Sequence, residues 1–114
     1  MKTEPDRQVV AEKIAEIERE MRRVGLWQTE PLREEQYDFR QAFGMDTMAF
    51  TQWLQFIFIP RVQQIINSGG EFPAKSEVGA QAFREFVAWP AYGDFETEKL
   101  LEMLNEFDAL FTST

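Results

Sequence analysis

Residues 46–67, DTMAFTQWLQFIFIPRVQQIIN, form the densest apolar stretch of the chain and decide how the rest must be arranged. At about 100° per residue, Phe50, Trp53, Leu54, Ile57, Phe58 and Ile65 share one broad face of a helix, while Met48, Phe56, Ile59 and Ile66 fall elsewhere around it. The helix is therefore apolar nearly all round. Asp46 reads as its N-cap and Ser68-Gly69-Gly70 as its stop. A helix of this kind is either enclosed by its neighbours or leaves an apolar strip for a partner. Pro60 lacks an N–H and its ring crowds the carbonyl of Phe56, which predicts a kink or break near Ile59. Arg61 follows Ile57 by four residues and Leu54 by seven, so an in-phase helix puts its guanidinium on the apolar face. An enclosed arginine needs a carboxylate, and Asp108, Glu106 and Asp46 are the internal candidates, with an anionic group of another molecule as the alternative. A phase shift at the kink exposes Arg61 instead.

Working outward, Val10, Ile14, Ile17, Met21 and Val24 recur every three or four residues, predicting a first helix from Asp6, its N-cap, to Val24, with Gly25 as the stop. Between Leu26 and Met45 no period holds. Trp27, Leu32, Tyr37, Phe39 and Phe43 there suggest a long aromatic loop laid over the end of the fold, with a short helical turn at Leu32 to Gln36. Beyond Gly70, Ser76 can cap a third helix reaching Trp89, its face made by Val78, Ala82, Phe83, Phe86 and Val87, and Pro90 ends it. Asp94 can cap a fourth, with Leu100, Leu101, Leu104, Phe107, Leu110 and Phe111 inward, while Thr112-Ser113-Thr114 frays. The fold expected is all-α: an antiparallel up-and-down four-helix bundle, one domain over residues 1–114, with the aromatic loop joining the first two helices.

The chain of 114 residues is 44% hydrophobic and contains no Cys and no His. That removes disulfides, thiolate nucleophiles, zinc fingers and iron–sulfur clusters, together with the commonest general base and metal ligand. The opening residues have no signal-peptide pattern, and no apolar stretch approaches the ~20 residues of a membrane span, so a cytoplasmic protein is expected. Of the net charge of −8, residues 94–114 hold −5, with six acidic and one basic side chain. Such a surface disfavours direct nucleic-acid binding.

Glu98, Glu102 and Glu106 stack at i, i+4 and i+8 on the fourth helix. This row is either a docking face for a basic partner or a solvated surface kept for solubility. It makes a poor metal site, since cation-binding turns cluster oxygens differently and di-iron bundles require histidine. Ser68-Gly69-Gly70 closes a helix rather than opening one and does not cradle phosphate. No catalytic residue, cofactor or metal is expected.

The runs Met45-Asp46-Thr47-Met48, Trp53-Leu54-Gln55, Ile59-Pro60-Arg61 and Asp108-Ala109-Leu110-Phe111 resemble the YqcC-like family of small bacterial proteins, over nearly the whole chain and least between Gly69 and Thr97. The resemblance implies a cytosolic four-helix bundle whose gene often adjoins that of a tRNA pseudouridine synthase. It implies no catalytic residues. The family pattern falls on Asp46, Trp53, Gln55, Pro60 and Arg61. The expectation is thus a non-catalytic interaction module, with a tRNA pseudouridine synthase as candidate partner and Asp46, Trp53, Gln55, Arg61, Glu98, Glu102 and Glu106 as candidate contact residues. The alternative is a binder of small anions, or a weak enzyme, with a pocket at the Pro60 kink where Arg61 grips the ligand. Monomer and homodimer are both compatible with the sequence.

Overall fold

In the computed structural model, which describes residues 5–111, the first helix, α1, spans Arg7–Arg23. Asp6 accepts hydrogen bonds from the amides of Gln8 and Val9 at 2.8 and 3.4 Å, satisfying donors that a helix start leaves unpaired. Val10, Ile14, Ile17 and Met21 are buried and Val24 half-buried, as their spacing predicts, and Gly25 turns the chain at φ +83°. The expected fraying of Thr112-Ser113-Thr114 lies outside the described residues.

Helix α2 runs without a break over residues 50–68. Phe50–Trp53 is α-helical, Leu54–Phe58 is one widened π-helical turn, and Ile59–Ser68 is α-helical again. The widened turn is where Pro60 is absorbed. The Ile59 amide reaches back five residues to the Leu54 carbonyl, opening the turn at the place where the proline ring would press on the Phe56 carbonyl. One extra residue in a turn rotates the downstream side chains by about 100°. Arg61 accordingly leaves the apolar face and is exposed, while Val62 is buried. Among the described residues no ion pair receives it: Glu106 pairs with Lys13, while Asp46 and Asp108 accept from other donors. Nor is Asp46 the N-cap. The helix begins at Phe50, with the Gln52 side chain accepting the Ala49 amide at 2.9 Å. At the far end Gly69 adopts φ +71°, and Arg7 donates to the carbonyls of Ile65 and Gly70, tying the start of α1 to the end of α2.

Helices α3 (Val78–Ala88) and α4 (Glu98–Ala109) start later than their expected caps, Ser76 and Asp94. The cap of α3 comes from α4 instead. Asp108 accepts the amides of Val78 and Gly79 at 2.9 and 2.8 Å and the hydroxyl of Ser76 at 2.7 Å. The described residues contain four helices, short 3₁₀ turns and no strand.

The end-to-end pairings establish the direction of each helix. Arg7 at the start of α1 meets the end of α2, Phe50 at the start of α2 packs on Phe86 near the end of α3, and Gly79 at the start of α3 lies against Asn105 late in α4. Lys13 early in α1 pairs with Glu106 late in α4, and Arg23 at the end of α1 with Glu96 just before α4. Every neighbouring pair is therefore antiparallel, as in an up-and-down bundle. Phe58 of α2 crosses to Phe107 of α4 at a centroid distance of 5.0 Å, closing the core diagonally.

Candidate interaction surface

Phe50, Trp53 and Phe58 project from α2 into a ring stack, Phe50 to Trp53 at 6.2 Å and Trp53 to Phe58 at 5.6 Å, with Phe43 edge-on to Trp53 at 5.0 Å. Phe43 is held there by a left-handed backbone (φ +58°), which bends the connection before α2 inward. Trp53, expected to anchor a partner, is thus a core residue with 8% of its surface exposed. Gln55 is buried too. Its carbonyl oxygen accepts the Gln28 amide at 3.0 Å and its amide donates to the Gln28 carbonyl at 2.8 Å, so one side chain satisfies both backbone polar groups of a residue in the α1–α2 connection. Asp46 accepts the amides of Arg40 and Gln41 at 3.0 and 3.3 Å; these bonds, the first above all, hold its carboxyl below the ordinary aspartate range. These residues organise the connection; Trp53 and Gln55 are buried, whereas Asp46 is exposed.

Arg61 lies over the Phe39 ring at 5.9 Å. The depression beside Pro60 is lined by Pro60, Gln63, Gln64, Asn67 and Ser68, all uncharged, and Arg61 is not among them. Among the described residues no group of three or more acidic side chains is arranged to hold a metal, and no helix is long and apolar enough to cross a membrane.

The surface that stands out was misplaced by the sequence. Phe83 and Val87, expected inward, are 57% and 66% exposed, and Trp89 just beyond α3 is 58% exposed. In their place α3 buries Val78, Gly79, Ala82 and Phe86, with Gln81 and Glu85 on the flank of that face. The two polar residues are paired, Gln81 donating to Glu85 at 3.3 Å and accepting from Arg84. Gly79 lies where α4 passes closest, and Phe83, one turn on, is nevertheless turned to solvent. Burial of the polar Gln81 and Glu85 with Phe83 and Val87 left outside is the reverse of what apolar periodicity favours, so no local signal revealed it.

Beside this strip, Glu98, Leu101, Glu102, Asn105, Glu106 and Ala109 line a shallow depression on the outer side of α4. Glu98, Glu102 and Glu106 are all exposed. Glu106 is held by Lys13 at 3.2 Å, whereas Glu98 and Glu102 form no ion pair among the described residues. The helices are antiparallel with Gly79 against Asn105, so one turn onward Phe83 stands level with Leu101, and Val87 with Thr97. The seven expected contact residues thus divide: Asp46, Trp53 and Gln55 at one end of α2, Arg61 beyond the π turn, and the three glutamates on α4.

Comparison with known proteins places this arrangement. A family model described as tRNA pseudouridine synthase C matches residues 9–110, and the chain belongs to that family, whose members include YqcC. An uncharacterized protein of Haemophilus influenzae is 38% identical over 69 residues, covering 58% of this chain and 65% of that protein. The protein YqcC of Escherichia coli K12 is 30% identical over 86 residues, 75% of this chain and 74% of its own. A tRNA pseudouridine synthase C of Pectobacterium carotovorum is 36% identical over 59 residues, which are 52% of this chain but only 16% of that longer protein. The solution NMR structure of E. coli YqcC superposes with a TM-score of 0.75 at 24% identity, over 95% of this chain and 92% of that one, and it has the same fold.

Proposed function

We propose that this chain is a non-catalytic protein-interaction module, a single cytoplasmic domain that serves as an accessory to a tRNA pseudouridine synthase of the C type. The observation that carries the proposal is the exposure of Phe83, Val87 and Trp89, three large apolar side chains near one end of α3, each more than half in water. Contiguous exposed apolar groups rimmed by polar ones mark interaction sites in soluble proteins, and aromatic side chains are the usual anchors of interfaces. The enzyme is named as candidate partner because the matching family carries that description and a stretch of a Pectobacterium protein so named aligns with this chain.

The test is co-expression of the tagged chain with the tRNA pseudouridine synthase C of a bacterium that carries both. A stoichiometric complex that survives purification and is lost in Phe83→Ser/Val87→Ser is the expected result. A folded double variant that retains the enzyme, or a wild-type chain that never captures it, counts against the assignment.

A further inference from the structure

We propose that the ridge on α3 and the acid row on α4 form one surface, and that its occupant is a basic amphipathic helix presented by another protein. The inference rests on the interaction-module reading above and names the chemistry of the partner element. Phe83 and Val87, four residues apart, form a ridge one helical turn long, and Trp89 extends it past the end of α3. Leu101 stands level with Phe83, and Glu98 and Glu102 flank it on the solvent side, without a cation of their own among the described residues. A helix laid along the seam places apolar side chains at i, i+3, i+4 and i+7 on this ridge, and lysines or arginines on its flank reach the two carboxylates. Segment 94–114, which supplies that flank, carries −5. A second copy of this chain would bring an equally negative segment against it, and like charges across an interface oppose association. Charge therefore selects a basic occupant over self-pairing.

The experiment titrates the ¹⁵N-labelled full chain with a synthetic 18-residue amphipathic helix of leucine and lysine, and with its leucine and glutamate counterpart. Analytical ultracentrifugation of the chain alone runs in parallel. The expected result is saturable shifts at residues 83, 87, 89, 98 and 102 with the basic peptide alone. Affinity should fall roughly tenfold between 50 and 300 mM salt and by a similar factor in Glu98→Lys/Glu102→Lys, and vanish in Phe83→Ser/Val87→Ser. Equal binding of both peptides, or shifts spread over all acidic surfaces and untouched by Phe83→Ser/Val87→Ser, overturns the proposal. Concentration-dependent dimers lost in that double variant would assign the ridge to a second copy, refuting the basic occupant while keeping the ridge as an interface. Loss of the synthase in the co-expression test despite normal peptide binding would instead refute only the named partner.

Discussion

Gly79 of α3 lies so near α4 that a Cβ on it would sit 2.8 Å from both the Cα and the amide nitrogen of Asn105. The obstruction is backbone, which no rotamer change can clear. Asp108 reinforces the contact one turn later on α4, accepting the amides of Val78 and Gly79. The two residues of α4 thereby fix the height of α3 against α4, one turn before the exposed ridge of Phe83 and Val87.

Gly79→Ala should accordingly be costly even though alanine is the better helix former. Overpacking of this kind costs about 2 kcal/mol, a fall in Tm of roughly 10 °C for a chain of this size. Asn105→Ala should rescue it only in part, because it removes the side-chain oxygen, which is nearest, but leaves the Cα and amide nitrogen at 2.8 Å. Thermal unfolding of the two single variants and the double variant checks this. Gly69 offers a contrast: nothing stands within 4 Å of its Cβ position, so Gly69→Ala meets only the left-handed strain of φ +71°, about 1 kcal/mol.

Gln55→Leu keeps the volume of the side chain but leaves both the N–H and the C=O of Gln28 without their partner. Stability should fall by about 2 kcal/mol, and the Gln28 amide should exchange with solvent faster than its neighbours. Denaturant unfolding and hydrogen exchange measure the two effects independently.

Trp53 and Arg61 should behave oppositely. Trp53→Ala removes the centre of the Phe43, Phe50 and Phe58 stack and should cost about 3–5 kcal/mol. Arg61→Ala loses an exposed contact with Phe39, worth about 0.5–1 kcal/mol at most. Chemical denaturation of both variants separates a core role from a surface one.

Acid should destabilise the protein partly through Glu20. This side chain is 3% exposed and bonded twice to Arg23, at 2.9 and 2.7 Å, and those bonds hold its carboxyl below the ordinary glutamate range. A carboxyl lowered in the folded state contributes stability that is present above its unfolded value, near 4.5, and is lost as pH falls through the lower folded one. Glu20→Gln should flatten that part of the stability profile below pH 4.5 while leaving the neutral limb parallel to wild type. Urea denaturation over a pH series reads it directly.

How much of this was legible in the sequence depends on whether the deciding interaction was local. The burial of α1 could be read from its spacing because Asp6, Val10, Ile14, Ile17, Met21 and Gly25 act within one helix. Pro60 was legible as a disturbance but not as a π turn, since widening, kinking and breaking all relieve the same clash. The error at α3 was of another kind. Val78, Ala82 and Phe86 are buried as their spacing predicts, but Phe83 and Val87, expected on the same face, are not. Gln81 and Glu85 are buried in their stead, beside contacts from elements distant in sequence, Met45 with Gln81 and Phe50 with Phe86. Asp46 failed as a cap for a similar reason, because the amides it accepts belong to the bend before it rather than to the helix after it. The glutamates of α4 were placed correctly on the outside, while the ridge beside them depended on the rotation of α3 about its own axis.

That rotation is the central claim, and the absence of cysteine from the chain makes it directly measurable. Single variants Phe83→Cys, Val87→Cys, Ala82→Cys and Phe86→Cys can each be reacted with a thiol reagent under native conditions. The structure predicts that cysteines at 83 and 87 react at nearly the rate of the unfolded chain, while those at 82 and 86 are protected on the order of 100-fold, because they react only through opening of the fold. Protection at 83 and 87 equal to that at 82 and 86 would contradict the rotation of α3 and the docking surface built on it.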